Sequence, residues 1–369
     1  MSGALATEVD GRLEVGGVPY LRPGRDALVG AARAALGAGD PAGAAAVLLR
    51  DADDWWDGPL PDEEEARAAG AAGTLREAVR LLRLGRVGDY LVHRWSDPVL
   101  LAGLGLLSLG WPAPGTPVLD LACGTGPLLR ELALRGQAPL AGADVVLAKL
   151  WLARRHVLDD PGVAVAPRLV CLDAAQPWPG ALAGPVPART VVCLDALYFL
   201  PDPAGTAARM RAAAGQAGSV LVGGVPNGLL PARGGGARLT PHDLAAMLPG
   251  AELYDDADLV RWTVEREAPR VRTPDELGAA VTVSALWRAP GAEPVAAPDL
   301  GAPLPGRRLR LNPLYGPDGA LRWPSERYER DYADRSPYLP PRLPDEADLA
   351  ARPEHWARRR VLLDLPERW

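Results

Sequence analysis

The sequence has little of what marks a disulfide-stabilised, zinc-binding or nucleic-acid-binding protein. It contains only three cysteines, Cys123, Cys171 and Cys193, among 369 residues. An odd number without close spacing gives neither a disulfide framework nor a zinc ligand set. The formal net charge is −6, whereas a broad nucleic-acid interface needs clustered Lys and Arg to neutralise phosphates. We therefore predict no metal site and no nucleic-acid partner, and we expect the cysteines to be small buried apolar residues.

Long hydrophobic runs are also missing. The longest apolar stretches, such as residues 99–113, contain Gly and Pro and are shorter than the roughly 18 residues that span a bilayer. The first residues, MSGALATEVDGRLEV, lack a basic segment followed by an apolar core, so they do not read as a signal peptide. These absences predict a cytoplasmic location and no membrane partner.

The composition that remains is that of a soluble globular protein. Hydrophobic residues make up 48% and charged residues 23% of the chain, which allows a sizeable core. A length of 369 residues allows two or three folding units at roughly 150 residues per domain.

The first third of the chain has mostly helical periodicity. Residues 12–21, RLEVGGVPYL, predict a short hairpin around two glycines. From about residue 24 to 108 the apolar residues recur at helical spacing. Thr74 and Glu77 have the spacing of a capping box, and the acidic residues 61–65 suit the positive end of a helix.

A different pattern follows residue 115, because short apolar runs now alternate with longer helical ones. The predicted strands are 117–122, 139–144, 168–173, 190–195, 219–225, 260–267 and 280–288. The predicted helices between them include 127–136, 146–157, 203–214 and 241–248. Near-continuous apolar strands are typical of a parallel sheet that is covered on both faces. The alternation therefore predicts an open, doubly wound α/β sheet.

A glycine-rich turn follows the first strand of this pattern, in the stretch VLDLACGTGP at 118–127. Ligands of open α/β sheets bind at the carboxyl ends of the strands. Glycine lets the backbone approach a ligand closely, and the amino end of the next helix offers N–H groups. The turn around Gly124 and Gly126 is therefore the predicted ligand site.

Two cofactor classes compete for this turn. A dinucleotide motif would place a small residue three positions after Gly126, but the sequence has Leu129 there. Asp120 also lies where a negatively charged pyrophosphate would sit, which is unfavourable. S-adenosyl-L-methionine has no phosphate, and its methionyl ammonium and sulfonium are positive. The residues thus favour S-adenosyl-L-methionine, with NAD(P) as the alternative.

The stretch DLACGTG resembles the first motif of class I S-adenosylmethionine-dependent methyltransferases, D/E-x-G-x-G-x-G, with Ala122 in place of the first glycine. This resemblance implies a Rossmann-like fold and the cofactor S-adenosyl-L-methionine. The cofactor-binding residues that it implies in this motif are Asp120, Ala122, Cys123, Gly124, Thr125 and Gly126.

Later stretches resemble the following motifs of the same family, so the resemblance covers roughly residues 95–290. GADVVLAKLWLARRHV resembles the second motif, which implies that Asp144 accepts hydrogen bonds from the ribose hydroxyls. LVCLDAAQPWP implies that Asp173 and the N–H of Ala174 meet the adenine ring. VVCLDALYFLPDP resembles the fourth motif of small-molecule methyltransferases. It implies that Asp195 lines the cofactor or the mouth of the acceptor pocket.

The implied chemistry is an in-line displacement, in which the sulfur leaves neutral and the protein mainly positions the reactants. A general base helps where the acceptor is a hydroxyl or an amine. The candidates are Tyr198, which directly follows the fourth strand, His242 and His93. Residues 89–104 lie where family members often place a lid, which would bring Arg94 to the methionyl carboxylate or the acceptor. Each of these residues also has a purely structural interpretation.

We predict three regions: a mainly helical region at 1–110, a cofactor-binding core at 111–290, and a Pro- and Arg-rich extension at 291–369 packed on the core. The flanking regions are expected to shape the acceptor pocket or a homodimer contact. Three functions remain open. The favoured one is methyl transfer to a small-molecule acceptor. The others are a non-catalytic, methyltransferase-like binding or scaffold protein, and an NAD(P)-dependent oxidoreductase.

Overall fold

The structure is a computed structural model that describes residues 4–53, 56, 58–184, 186–231 and 235–369. It divides into two units. The first comprises Met1–Val92, Pro117–Ala183 and Pro366–Trp369, and the second comprises His93–Thr116 and Gly184–Leu365. The first unit contains three parallel strands of the predicted α/β pattern, and the second unit contains four further strands. The sequence ranges predicted as domains stay predictions.

The strands are β1 (Ala6–Val9), β2 (Arg12–Val15), β3 (Val18–Pro19), β4 (Val118–Leu121), β5 (Leu140–Asp144), β6 (Arg168–Cys171), β7 (Thr190–Leu194), β8 (Ser219–Pro226), β9 (Glu252–Asp255), β10 (Thr282–Arg288), β11 (Arg310–Leu311) and β12 (Leu362–Leu363). The helices are α1 (Asp26–Gly37), α2 (Pro41–Leu49), α3 (Glu63–Ala71), α4 (Leu75–Leu81), α5 (Gly85–His93), α6 (Pro98–Leu109), α7 (Pro127–Leu134), α8 (Leu147–Leu152), α9 (Gly180–Ala183), α10 (Pro203–Ala214), α11 (Pro241–Met247), α12 (Asp256–Glu265), α13 (Glu326–Tyr332), α14 (Glu346–Ala351) and α15 (Pro353–Arg358).

The first unit contains the parallel strands β4, β5 and β6, which lie side by side in the order β6-β5-β4. Helix α7 follows β4, and helix α8 follows β5. This is the 3-2-1 order of the first half of a doubly wound fold, so the predicted α/β class is confirmed. The three strands are almost wholly buried, as their near-continuous apolar sequences predict.

The amino-terminal part of the first unit contains the predicted hairpin, since β2 and β3 pair antiparallel. Strand β1, which pairs with β2, was not predicted. Helix α3 begins at a full capping box between Asp62 and Glu65. The predicted box at Thr74 is only half formed: Thr74 accepts the N–H of Glu77, but the Glu77 carboxylate accepts from Gly73. The reciprocal half of that prediction was wrong, because the Glu77 side chain extends one residue beyond the cap.

The second unit contains four strands that pair in the order β7-β8-β10-β9. Strands β7 and β8 are parallel, and β10 runs antiparallel to both of its neighbours. The predicted strand at 260–267 was wrong, because these residues belong to helix α12 and its end. Alternating Val260, Trp262 and Val264 resemble a strand, but the Asp255 carboxylate caps a helix here by accepting the N–H of Ala257 (2.9 Å).

The residues after 290 form ordered structure in the second unit. Strands β11 and β12 pair antiparallel, and Tyr315, Trp356 and Val361 form a small buried cluster. The hydroxyl of Tyr338 donates to the carbonyl of Ser96 (2.9 Å), which fixes the extension next to the start of α6. The last four residues belong to the first unit, where the carbonyl of Arg368 accepts the N–H of Leu75.

All three cysteines are buried, and none forms a disulfide. In the part of the chain that the structure describes, no helix combines the length and the apolar character needed to cross a bilayer.

Candidate active site

The glycine turn between β4 and α7 has a left-handed backbone at every second residue. The φ angles are +57° at Ala122, +57° at Gly124 and +73° at Gly126. Side chains disfavour this conformation, whereas glycine adopts it freely. The turn therefore explains why glycines recur at this spacing. Ala122 keeps the backbone conformation of the missing glycine at some cost in strain.

The two glycines face different surroundings. A Cβ atom at Gly126 would lie 3.5 Å from the Cβ of Ala153, at the end of helix α8. A Cβ atom at Gly124 would meet no described atom within 4 Å. Gly126 is thus a packing residue, while the backbone of Gly124 borders open space that a ligand can approach closely.

Asp144, the last residue of β5, holds this turn in place. One carboxylate oxygen accepts the N–H of Gly124 (2.9 Å), and the other accepts the N–H of Val146 (2.9 Å), at the start of α8. The residue is only 6% exposed. A carboxylate offers about four lone-pair positions, so two remain for further donors. The sequence did not predict the bond to Gly124, because it joins residues 20 positions apart.

Gly142, in the middle of β5, is a site residue that the sequence analysis missed. A Cβ atom there would lie 2.5 Å from Leu129 and 2.8 Å from the sulfur of Cys123. Leu129 is fully buried, so Gly142 provides the space that this bulky side chain needs against the sheet. A glycine inside a strand pattern signals such close packing. The dinucleotide motif instead obtains its space from a small residue on the helix.

Asp120, Cys123 and Thr125 are all buried around the turn. Burial raises the pKa of the Cys123 thiol well above its usual value, and the carboxylates of Asp120 and Asp144 raise it further. The thiol therefore stays protonated and packs as an apolar group. The hydroxyl of Thr125 has no hydrogen-bond partner among the residues that the structure describes. This buried hydroxyl can therefore donate and accept a hydrogen bond next to the open space at Gly124.

The loop after β6 places Asp173 and Ala174 at the same sheet edge as Asp144. One oxygen of Asp173 accepts the N–H of Ala175 (2.9 Å), and the carbonyl of Ala174 accepts from the indole of Trp178 (3.0 Å). Because β4, β5 and β6 are adjacent and parallel, their carboxyl ends lie along one edge. The first unit thus brings together all nine predicted cofactor residues up to Ala174.

In the second unit, Asp195 follows β7 in an unusual backbone conformation. Its φ angle is +56°, which is uncommon for a residue other than glycine. Its N–H donates to the carbonyl of Gly223 (2.7 Å). The hydroxyl of Tyr198 donates to one oxygen of the Asp195 carboxylate (2.7 Å). Residues held in such strained conformations concentrate at functional sites.

The three candidate bases have different surroundings. Tyr198 is buried, and burial together with the charge of Asp195 raises its phenol pKa well above the usual value. Tyr198 is therefore a hydrogen-bond donor at neutral pH, which argues against a role as base. The His242 side chain is 62% exposed and lies 3.2 Å from Asp275, and no hydrogen bond or ion pair among the described residues joins it to Tyr198. His93 is buried, and its carbonyl accepts from Ser96.

Arg94, expected to meet the methionyl carboxylate or the acceptor, has a structural partner. One guanidinium nitrogen lies 2.9 and 3.0 Å from the two oxygens of Asp97. Asp97 also caps α6 by accepting the N–H of Leu100 (2.8 Å). Both charged side chains are nearly inaccessible to solvent. This buried pair fixes the start of α6.

The helix that faces Gly126 ends in one π-helical turn, Ala153–Val157, which contains a buried histidine. Neither ring nitrogen of His156 has a hydrogen-bond partner among the described residues. Burial lowers its pKa to about 4, and the positive charges of Arg155 and Arg368 add to the effect. The folded protein therefore holds this imidazole neutral.

The buried imidazole should make the protein sensitive to acid. The pKa of His156 is about 4 in the folded state and about 6.5 when unfolded. The folded state thus binds this proton less readily, and stability falls as the pH drops from about 6.5 towards 4. We expect a loss of about 2 kcal/mol between pH 7 and pH 5 from this group, which urea unfolding at the two pH values measures. His156→Leu should remove that increment, whereas His242→Leu should retain it. An equal pH dependence in both variants would contradict this assignment.

Comparisons with known proteins show which proteins this chain resembles. No protein-family model matches the chain. The chain is 33% identical over 123 residues to the ubiquinone biosynthesis O-methyltransferase of Paracidovorax citrulli, covering 31% of this chain and 49% of that protein. It is 37% identical over 127 residues to the protein of the same name from Azotobacter vinelandii, covering 31% and 51%. The chain therefore spans about half the length of the curated relatives it matches. These matches confirm its similarity to class I S-adenosylmethionine-dependent methyltransferases.

Some solved structures match the chain at low identity. Haemonchus contortus phosphoethanolamine N-methyltransferase 2, in complex with S-adenosyl-L-methionine, matches with a TM-score of 0.41 and 16% identity, covering 59% of this chain and 60% of that chain. A SAM-dependent methyltransferase from Anabaena variabilis matches with a TM-score of 0.37 and 17% identity, covering 54% and 90%.

Proposed function

We propose that this protein is an enzyme that transfers the methyl group of S-adenosyl-L-methionine to a small-molecule acceptor. The observation that carries the proposal is the hydrogen bond from Gly124 to Asp144. It joins the left-handed glycine turn to a carboxylate that keeps two lone-pair positions for a ribose. The names of the curated relatives, both O-methyltransferases, support the reaction class and favour a hydroxyl acceptor.

The cofactor residues in this proposal come from three consecutive strand ends. Asp144 accepts the ribose hydroxyls, while Asp173 and the N–H of Ala174 hold the adenine ring. The backbone of Gly124 lies along the cofactor, and the buried carboxylate of Asp120 attracts the methionyl ammonium. When bound, S-adenosyl-L-methionine supplies an electrophilic methyl group on a positively charged sulfur. The residues orient it for in-line attack.

The same residues disfavour a dinucleotide. Its pyrophosphate carries negative charge, and the buried carboxylate of Asp120 lies beside the glycine turn, which is unfavourable for an anion. Helix α7 has the bulky Leu129 where the dinucleotide motif has a small residue. Gly142 in β5 provides the space for this side chain. A non-catalytic binding protein would use the same cofactor contacts, and only turnover distinguishes it from the enzyme.

The ribose contact gives the sharpest test of the proposal. Asp144→Ala should weaken the binding of S-adenosylhomocysteine by about 1–3 kcal/mol, because charged hydrogen bonds of the carboxylate are lost. Since Asp144 also holds Gly124, the variant should be titrated with a matched ligand pair, S-adenosylhomocysteine and its 2′-deoxy analogue. The wild type should discriminate the pair by about tenfold, and Asp144→Ala by less than about twofold.

This ligand pair separates a ribose contact from a loosened turn. If the turn alone is disturbed, both ligands lose affinity and the discrimination between them persists. Persistent discrimination in Asp144→Ala would refute the role of this carboxylate at the ribose. Asp173→Ala serves as the control, since it should weaken both ligands while keeping the discrimination.

A further inference from the structure

The amino-terminal part of the first unit continues the parallel strand arrangement beyond β6. Tyr20, directly after β3, forms a parallel bridge with Cys171 of β6, and the N–H of Leu21 donates to the Cys171 carbonyl (2.8 Å). Because the carboxyl ends of parallel strands lie along one edge, the residues after Tyr20 lie at the edge that carries Asp144 and Asp173. The amino-terminal part therefore borders the predicted cofactor site on its β6 side.

A buried cluster of charged groups fixes the chain after α2 at this edge. The Asp51 carboxylate accepts from the hydroxyl of Tyr20 (2.6 Å) and from the guanidinium of Arg22 (2.9 Å). The same guanidinium donates to the carbonyl of Ala52. The side chains of Arg22 and Asp51 are 4% and 7% exposed. Breaking a buried pair of this kind is costly, so the backbone at Ala52, and with it Asp53, is held firmly at this edge.

Asp53 pairs with Lys149, the single lysine of the chain. The Lys149 ammonium lies 3.8 Å from the Asp53 carboxylate, and the two side chains are 19% and 28% exposed. Lys149 lies in the first turn of α8, and the Asp144 carboxylate accepts the N–H of Val146, the residue before this helix (2.9 Å). Because side chains on a helix lean towards its amino end, the ammonium is directed to the sheet edge at which Asp144 lies. In agreement, burial raises the pKa of the Cys123 thiol in the glycine turn, and the Lys149 charge acts against this rise.

The chemistry of this ammonium complements that of Asp144. An ammonium has three donors and no acceptor, whereas a carboxylate only accepts. The distance of 3.8 Å to Asp53 is too long for a hydrogen bond, and the ammonium donates to no group in the described part of the chain. A ribose hydroxyl that donates its proton to Asp144 keeps lone pairs on its oxygen, and these can accept from Lys149. The two side chains thus satisfy both halves of a hydroxyl group.

We propose that Lys149 and Asp53 complete the adenosine end of the cofactor site, with Lys149 donating to the oxygen of a ribose hydroxyl. The inference rests on the proposed function. Asp53 is a positioning residue, since its carboxylate holds the ammonium at the sheet edge without contacting the cofactor. Lys149 is a determinant of specificity, because a ligand without ribose hydroxyls leaves its donors unpaired. The amino-terminal part of the chain, expected to shape the acceptor pocket or a homodimer contact, is in this assignment a wall of the cofactor site.

Amine acetylation of the full-length protein tests where Lys149 lies, because the chain has no other lysine. Limited acetylation, resolved by peptide mass spectrometry, should modify Lys149 about tenfold more slowly when the protein is saturated with S-adenosylhomocysteine. 5′-Methylthioadenosine, which has the adenosine end without the amino acid, should protect equally, and homocysteine should not protect. The α-amino group, quantified in the same digest, should react at an unchanged rate.

Replacing the ammonium tests its contact with the ribose. Lys149→Met keeps the length and the apolar stem of the side chain but removes its donors. It should weaken the binding of S-adenosylhomocysteine about tenfold, because the hydroxyl loses a charged hydrogen bond, and that of the 2′,3′-dideoxy analogue less than about twofold. Arg33→Met is the control, since it removes one positive charge from an exposed pair with Glu8 in the same unit. It should change neither affinity.

A double-mutant cycle tests the positioning role of Asp53. Asp53→Asn alone should weaken the binding of S-adenosylhomocysteine about threefold, and in the Lys149→Met background it should have no further effect. A carboxylate that merely stabilises the fold lowers the affinity in both backgrounds. A loss in both would therefore refute the role of Asp53.

The outcomes keep this inference separate from the proposed function. If the wild type does not bind S-adenosylhomocysteine, the proposed function fails. If it binds this ligand, but the ligand leaves the acetylation of Lys149 unchanged or homocysteine alone protects Lys149, the ammonium does not lie at the adenosine end. If Lys149→Met loses the same factor for both ligands, or loses affinity for neither, Lys149 does not contact the ribose.

Discussion

Replacing Gly124 with alanine should weaken the binding of S-adenosylhomocysteine about 100-fold, whereas Gly136→Ala should leave it unchanged. Both glycines have positive φ angles, +57° and +77°, and a Cβ atom at either position meets no described atom within 4 Å. Both substitutions therefore strain the backbone by a similar 1–2 kcal/mol. Only at Gly124 does the added methyl group enter the space assigned to the cofactor, where a clash of about 3 kcal/mol gives the 100-fold loss.

Calorimetric titration and urea unfolding of the two variants check this prediction together. The variants should lose similar stability but differ in affinity. If both variants bind S-adenosylhomocysteine as tightly as the wild type does, the ligand does not approach the glycine turn. A loss of affinity in both would show that strain in the first unit, and not the methyl group, disturbs the site.

The second large effect concerns the buried ion pair that supports helix α7. Asp160→Ala should lower the free energy of unfolding by about 3–5 kcal/mol, because it leaves the Arg130 charge buried without its partner. One Asp160 oxygen accepts from two guanidinium nitrogens of Arg130 (3.1 and 2.7 Å). The other accepts the N–H of Gly162 (2.9 Å). The two side chains are only 1% and 3% exposed.

An exposed ion pair in the same unit provides the control. Glu8 and Arg33 lie 3.0 Å apart, with side chains that are 39% and 48% exposed. Exposed pairs of this kind stabilise proteins by less than about 1 kcal/mol. Urea unfolding should therefore show a small effect for Glu8→Ala and a large one for Asp160→Ala. Similar effects of the two substitutions would mean that Arg130 finds solvent or another partner when Asp160 is removed.

Local sequence patterns predicted most strands of the α/β pattern. Continuous apolar runs located six of the seven strands β4–β10, and the glycine turn lies between a strand and a helix as expected. The strand predicted at 260–267 was wrong because alternation in a short apolar run does not distinguish a strand from a helix face. The cap at Asp255 decides in favour of the helix. Strand β1 was not predicted, because its residues are mostly exposed.

The site was less predictable, because its main features join residues that are distant in sequence. The role of Gly142 depends on Leu129, which belongs to a helix and not to the strand itself. The extension after residue 290 meets the residues before α6 across more than 200 positions, as the bond from Tyr338 to Ser96 shows. Neither spacing nor composition encodes such packing. The sequence predicted Asp195 as a site residue. It did not predict the left-handed backbone of Asp195 or its hydrogen bond to Tyr198, which only the three-dimensional structure shows.

The central claim is that the glycine turn and Asp144 hold S-adenosyl-L-methionine. The most direct measurement is calorimetric titration of the purified full-length protein with S-adenosylhomocysteine and, in parallel, with NADH. We predict saturable, micromolar binding of S-adenosylhomocysteine and no binding of NADH. Binding of NADH alone, or of neither ligand, would contradict the assignment of this turn as a cofactor site for methyl transfer.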